Sequence, residues 1–247
     1  MAKSIMAMMA KIQSAPRPPQ HVEEIKEPDE KEKKFIKLLH VSMEFGMPGV
    51  PGTVAVGGIG SVVYSLCQAQ KVHEHFIDAR VIIPYYEALH KDLTDFEEIQ
   101  EIHHLYADQS VRSMILKKIT DEGIVQYFVK PLEPIGIQLF NDIHIPELIY
   151  SNGWNGSKFI ERISYFSSAV SEFSCTGEPL FKPNIVQGHG WALSFLGKLI
   201  RKRREENLEE KPYTVYVVHS IHDGDGIFLA NEVPILKQNR NSAEPIR

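Results

Sequence analysis

Apolar positions in this chain fall into short unbroken runs, separated by stretches in which they recur every third or fourth residue. Residues 35–43, within Phe35-Ile-Lys-Leu-Leu-His-Val-Ser-Met-Glu-Phe45, read as a buried strand. Ile59, Val62, Val63 and Leu66 then recur at helical spacing and predict a helix over about 58–71, and residues 79–85 form a second strand. The middle breaks this rhythm. Residues 110–120 and 124–131 are two β-rich runs around Asp121-Glu122-Gly123, a turn signal that predicts an inserted antiparallel hairpin. Residues 135–140 read as a further strand. Ile160, Ile163, Phe166, Val170 and Phe173 share one helical face over 159–173, and Pro179 and Pro183 close that helix before a short strand at 184–187. A helix over 191–204 and a β-branched, aromatic strand at 213–218 complete the pattern. Strands alternating with helices predict an α/β, Rossmann-like domain, a mainly parallel sheet covered by helices on both faces.

Composition narrows the reading. The chain has 247 residues, of which 43% are hydrophobic, enough for a sizeable core. A formal net charge of −5 argues against a general nucleic-acid binder, because the basic run Arg201-Lys202-Arg203-Arg204 is answered at once by Glu205, Glu206, Glu209 and Glu210. Two cysteines, Cys67 and Cys175, supply neither a disulfide framework nor metal-ligand spacing and suit a reducing, cytoplasmic compartment. No apolar run is long enough to span a bilayer. Residues 1–34 read as a disordered tail: Pro16, Pro18 and Pro19 precede a charged run, although the acid-free first 20 residues also share the character of a transit peptide. The folded domain is expected over 35–236, with a polar tail at 237–247.

Chemistry concentrates where strands end. Val56-Gly57-Gly58-Ile59-Gly60 places paired glycines where a strand hands over to a helix, and a helix start offers unpaired N–H groups and a positive dipole end to phosphate or carboxylate. A third glycine at dinucleotide spacing and an acidic ribose partner are missing, which argues against a nicotinamide site. Gly188-His189-Gly190 and His219-Ser220 end the later strands. Ligands of open α/β sheets sit beyond the carboxyl ends of the strands, so Gly57/Gly58, His189 and His219 are expected to converge on one crevice. Tyr85, Tyr86 and Trp154 could stack on sugar rings, but packing is the expected role of each.

Three segments in order resemble the amino-terminal half of glycogen and starch synthases, retaining glycosyltransferases built from two Rossmann-like domains (the GT-B architecture). Leu38-Leu-His-Val-Ser-Met-Glu44 with Val56-Gly-Gly-Ile-Gly-Ser-Val-Val63 resembles the opening strand and Lys-x-Gly-Gly-Leu loop of that family. Pro183-Asn-Ile-Val-Gln-Gly-His-Gly-Trp191 is similar to its Pro-Asp-Val-Val-His-x-His-Asp-Trp. Thr214-Val-Tyr-Val-Val-His-Ser220 and Asp225-Gly-Ile-Phe228 are similar to its Val-Phe-Thr-Val-His-Asn and Gln-Gly-x-Phe.

The resemblance implies glucosyl transfer from a nucleotide sugar, ADP-glucose or UDP-glucose, to an α-1,4-glucan, with neither metal nor cofactor. It implies a catalytic role for His219, and substrate contacts by Gly57, Gly58, His189, Ser220 and His222, His222 being an alternative match to the strand-end histidine. Without the resemblance, His219 would read as a strand-end histidine bonded to a backbone carbonyl. The family's second Rossmann-like domain lies outside these 247 residues, so the resemblance also implies a separate second domain or self-association as partner. Three departures stand out. Ala55 replaces the loop lysine, Ser61 an acid after the loop, and Gly190 the acid of His-Asp-Trp. These departures leave a second reading open, a binding module for glucan or protein on the same fold, and a third, a GT-B transferase with another sugar donor.

Overall fold

The computed structural model describes residues 36–47, 54–56, 58–73, 76–90, 95–150, 157–190, 193, 196–206 and 212–217. The regions expected as tails, 1–34 and 237–247, lie outside these residues. The elements are β1 (Ile36–Val41), α1 (Gly58–His73), β2 (Ile77–Pro84), α2 (Glu87–His90), β3 (Glu97–Tyr106), β4 (Gln109–Ile119), β5 (Val125–Pro131), α3 (Pro134–Phe140), a 3-10 turn (Pro146–Ile149), α4 (Ser157–Thr176), β6 (Ile185–His189), α5 (Leu196–Glu206) and β7 (Tyr213–Val217).

Seven strands form one sheet in the order β3-β4-β5-β2-β1-β6-β7. From β5 to β7 every pairing is parallel, with Leu39 opposite both Arg80 and Val186 at the centre. Only β4 runs against the rest. Side chains alternate between two cores, as a strand buried on both faces requires. Val81 and Ile83 join Val63 and Cys67 of α1 on one face, and Leu39, Val41 and Ile82 join Phe166, Val170 and Phe173 of α4 on the other. The result is the Rossmann-like, mainly parallel sheet with an inserted hairpin that the sequence pattern predicts.

Two local readings change. Residues 135–140 are the helix α3 rather than a strand. Pro134 cannot donate to a sheet ladder but suits the first helical position, and Glu133 before it is extended. Ile135 and Leu139 stand four apart, so the same residues that alternate at period two also share a helical face. Gly136 brings α3 against α4: a Cβ there would lie 2.6 Å from the Tyr165 ring. Conversely, β3 has no strand expectation behind it, because Glu97-Glu98-Ile-Gln-Glu-Ile-His-His reads as polar. Its alternation is real, with Ile102, His104 and Tyr106 buried and Glu101, His103 and Leu105 exposed. Smaller shifts affect β6, which runs on to His189, and α5, which begins at Leu196.

Candidate active site at the carboxyl edge of the sheet

The chain leaves β1 through Ser42, Met43 and Glu44, all buried, and returns along 54–56 to open α1 at Gly58. Phe45 and Val54 pair across this excursion through N–H···O bonds of 2.7 and 3.0 Å. Glu44 organises it. One carboxylate oxygen accepts the Val56 N–H and the other accepts the Tyr150 hydroxyl at 3.0 Å. Gly60 packs closely against this carboxylate: a Cβ there would come within 3.1 Å of Glu44 Oε2 and 3.0 Å of Ala55 Cβ, so both neighbours would have to give by a few tenths of an ångström. Burial beside this carboxylate raises the Tyr150 hydroxyl well above its ordinary pKa, so it remains a proton donor to Glu44. Glu44 is the site residue that motif reading passed over. Its one signal is a charged residue immediately after a buried apolar run, where burial demands partners.

Gly58 faces open space, with nothing within 4 Å of where its Cβ would stand, and the first turn of α1 carries no acidic residue. The positive end of a 16-residue helix is therefore accessible and uncompensated by its own side chains. Gly57 lies outside the described residues.

At the end of β6, His189 is 2% exposed and its Nε2 stands 2.9 Å from Nδ1 of the fully buried His40 on β1. His40 Nε2 in turn lies 2.8 Å from Gln70 Oε1 on α1. Burial depresses the His40 pKa, opposed in part by the Gln70 bond. Gly190 follows with φ +82°, a left-handed backbone that favours glycine, and a Cβ there would lie 3.1 Å from Ile59 Cδ1. Its N–H donates to Val217 O at 3.1 Å, tying the ends of β6 and β7 together. The structure thus brings the glycine loop and the His189-Gly190 segment into contact. His219, Ser220 and His222, expected as the third part of the crevice, lie outside the described residues, as do Trp154 and Trp191.

Tyr85 and Tyr86, the aromatic residues after β2, are packing residues: Tyr86 is fully buried and donates to Met43 O at 2.7 Å, and Tyr85 stacks edge-on with Phe96 and Phe128. Among the described residues no group of His, Cys, Asp or Glu could hold a metal ion, and no helix is long and apolar enough to cross a membrane.

The family model for the starch synthase catalytic domain matches residues 37–242. The chain belongs to this family. A solved structure, the catalytic domain of starch synthase IV from Arabidopsis thaliana bound to ADP and acarbose, is similar to it with a TM-score of 0.60 at 20% sequence identity. That likeness covers 76% of this chain and 34% of the other, so the chain spans about a third of that structure's length and shares its fold. No curated protein matches the sequence. The matched residues 37–242 include all three motif segments.

Proposed function

We propose that this chain supplies the amino-terminal half of a retaining glucosyltransferase that moves glucose from ADP-glucose or UDP-glucose to an α-1,4-glucan. The observation that carries the reading is the contact between two family segments: the Glu44-held glycine loop opening α1, and Gly190 against Ile59 at the end of β6. In this reading the donor diphosphate sits at the α1 N-terminus, on backbone donors of Gly57 and Gly58, where charge leaving the sugar is stabilised without reorganisation. His219 orients the reacting sugar, and Ser220, His222 and His189 contact its hydroxyls. A second Rossmann-like domain, on the same or another chain or from a self-associated copy, completes the donor site. Its grip on the sugar and nucleotide supplies the orientation that a one-domain cleft lacks.

A second reading is favoured by a specific feature. Ala55 offers no cation to the diphosphate, and Gly190 replaces an acid while adopting a conformation that an aspartate would strain. Charge-assisted bonds of the kind missing here contribute about 1.5–3 kcal/mol each. This supports a binding module for glucan that keeps the fold and has lost the rate. The deciding experiment follows nucleotide release from ADP-glucose and from UDP-glucose with glycogen as acceptor, alongside glycogen co-sedimentation. Turnover that disappears in His219→Ala supports the transferase. Glycogen binding without turnover fits the module and a transferase half lacking its second domain alike, and absence of glycogen binding overturns the module.

A further inference from the structure

Glu44 brings a buried carboxylate to the side of the α1 N-terminus. The N–H groups of a first helical turn have no partner within the helix, and an acidic side chain beside them is their usual counter-ion. Glu44 stands close enough to serve. Its Oε2 lies 3.1 Å from where a Cβ of Gly60, the third residue of α1, would be, and the turn has no acid of its own. Two donors hold the carboxylate in another direction. The Val56 N–H donates to Oε2 from the segment that returns to α1, and the Tyr150 hydroxyl donates to Oε1 at 3.0 Å from the end of the 3-10 turn. One bond leaves a carboxylate free to turn about the bonded oxygen, whereas a bond to each oxygen fixes its plane. Tyr150 is itself fixed: its ring packs edge-on against Phe159 of α4, with centroids 5.7 Å apart.

We infer that Tyr150 is a positioning residue that keeps Glu44 from capping α1, and so keeps the helix start available to the phosphates of the donor. The phosphate half of this inference rests on the proposed function above. A carboxylate and a diphosphate compete for the same N–H groups, and two anions cannot share them without repulsion. With the phenol in place the carboxylate is committed to Val56, and the face at Gly58 stays open. Without the phenol the charge turns to the nearest donors, the first turn of α1. The tyrosine acts on donor affinity through a residue it touches, not through the ligand.

The test uses the full chain and two readouts, the 15N-labelled backbone amides and the binding of inorganic pyrophosphate. Tyr150→Phe keeps the ring against Phe159 and removes only the hydroxyl. It should move the Val56 amide proton upfield, as its bond to the carboxylate loosens, and slow hydrogen exchange at Ile59 and Gly60, as Glu44 caps them. A Val56 amide unchanged in Tyr150→Phe overturns the positioning role. Pyrophosphate should bind wild type, and bind Tyr150→Phe about tenfold more weakly, the equivalent of one hydrogen bond to a charged group. Glu44→Gln keeps the shape of the side chain and cannot compete as an anion, so it separates positioning from a structural role. In the Glu44→Gln background Tyr150→Phe should leave pyrophosphate affinity unchanged. A loss that persists there means that Tyr150 supports the site by packing alone, and overturns the inference. A wild type that binds no pyrophosphate, with a Val56 amide that still responds to Tyr150→Phe, removes the donor phosphates from α1. That outcome is a failure of the proposed function and leaves the hold on Glu44 standing.

Discussion

The two ends of the sheet solve the same problem, polar groups buried beside a parallel core, by opposite means. At the amino edge Arg80 is ringed by Asp78, the Tyr127 hydroxyl and Glu178, with Lys117 on the far oxygen of Glu178 and the Phe181 ring 4.1 Å from the guanidinium. Formal charges cancel there, and the arrangement ties β2 and β5 to the segment between α4 and β6. At the carboxyl edge the buried polar groups described above are mostly neutral and directional: His40, His189 and Gln70 form one chain, and the Tyr150 phenol and the Val56 N–H bond the Glu44 carboxylate. Balanced charges hold a structure whichever way their protons point, whereas a chain of neutral rings transmits which atom donates and which accepts. The network around Arg80 is held by paired charges, and those around His40 and Glu44 by directional hydrogen bonds.

Acid should separate the edges most. His90, just beyond β2, accepts the Tyr86 N–H at Nδ1 and packs edge-on against Phe128, and burial with help from the Lys118 charge pushes its pKa down to about 3 from 6.5. As pH falls the unfolded chain takes this proton first. The contribution of a neutral His90 is therefore complete above pH 6.5 and is lost progressively toward pH 3. The loss amounts to as much as about 5 kcal/mol. His90→Gln keeps an acceptor for Tyr86 and does not titrate, so urea unfolding of this variant should lose less stability between pH 6.5 and 4 than wild type. Equal pH slopes for the two proteins would refute this account of the carboxyl edge.

Breaking the amino edge should come next in size. Glu178→Ala leaves Arg80, whose side chain is 12% exposed, with Asp78 as its one remaining carboxylate. Removing one partner of a buried ion pair costs about 3–5 kcal/mol, and the remaining Asp78 places this variant at the lower end. Gln70→Met, at the other edge, removes one neutral bond and should cost about 1 kcal/mol in the same urea titration. The ratio is the test of the comparison: similar losses would mean that the carboxyl edge is as much a clamp as the amino edge.

These contrasts bear on what sequence could say. The parallel sheet was legible because β1 and β2 are apolar runs whose central residues are buried, and because β7, an exposed edge strand, is β-branched and aromatic throughout. Hydrophobic periodicity misled at α3, where Ile135, Ile137 and Leu139 satisfy a period of two while Pro134 and the Tyr165 contact favour a helix, and it was silent at β3, whose exposed face is charged. The site was half legible. Glycine spacing marked the loop, because glycine is demanded by backbone geometry that local sequence records. Glu44, His40 and Gln70 escaped, since their roles arise from partners 12 to 149 residues away in the chain, a separation no local pattern encodes. His219, Ser220 and His222 rest on the family resemblance alone.

Gly190 sharpens the comparison at a smaller scale. If the carboxyl edge of this chain were a family site merely missing an acid, Gly190→Asp should restore it without penalty. The left-handed backbone and the nearby Ile59 predict otherwise: a loss of about 1–2 kcal/mol in thermal or urea unfolding, and a changed environment at the start of α1. A variant as stable as wild type would mean that the loop relaxes freely and that the absent acid is incidental.

The smallest effect concerns a turn that belongs to neither network. Ala107 and Asp108 connect β3 to β4 with φ of +48° and +62°, positions that a two-residue hairpin turn normally fills with Asn-Gly. Both residues carry a Cβ that opposes this backbone, so Ala107→Asn with Asp108→Gly relieves strain and should raise stability by about 0.5–1 kcal/mol in urea unfolding. The turn lies at the same end of the sheet as the site but on its outer strand, four places from β1. The double variant should gain its stability and leave the cost of Gln70→Met in urea unfolding unchanged, because distant sites add independently. A Gln70→Met cost that changed with the turn would show that the hairpin and the His40 network are coupled through the sheet.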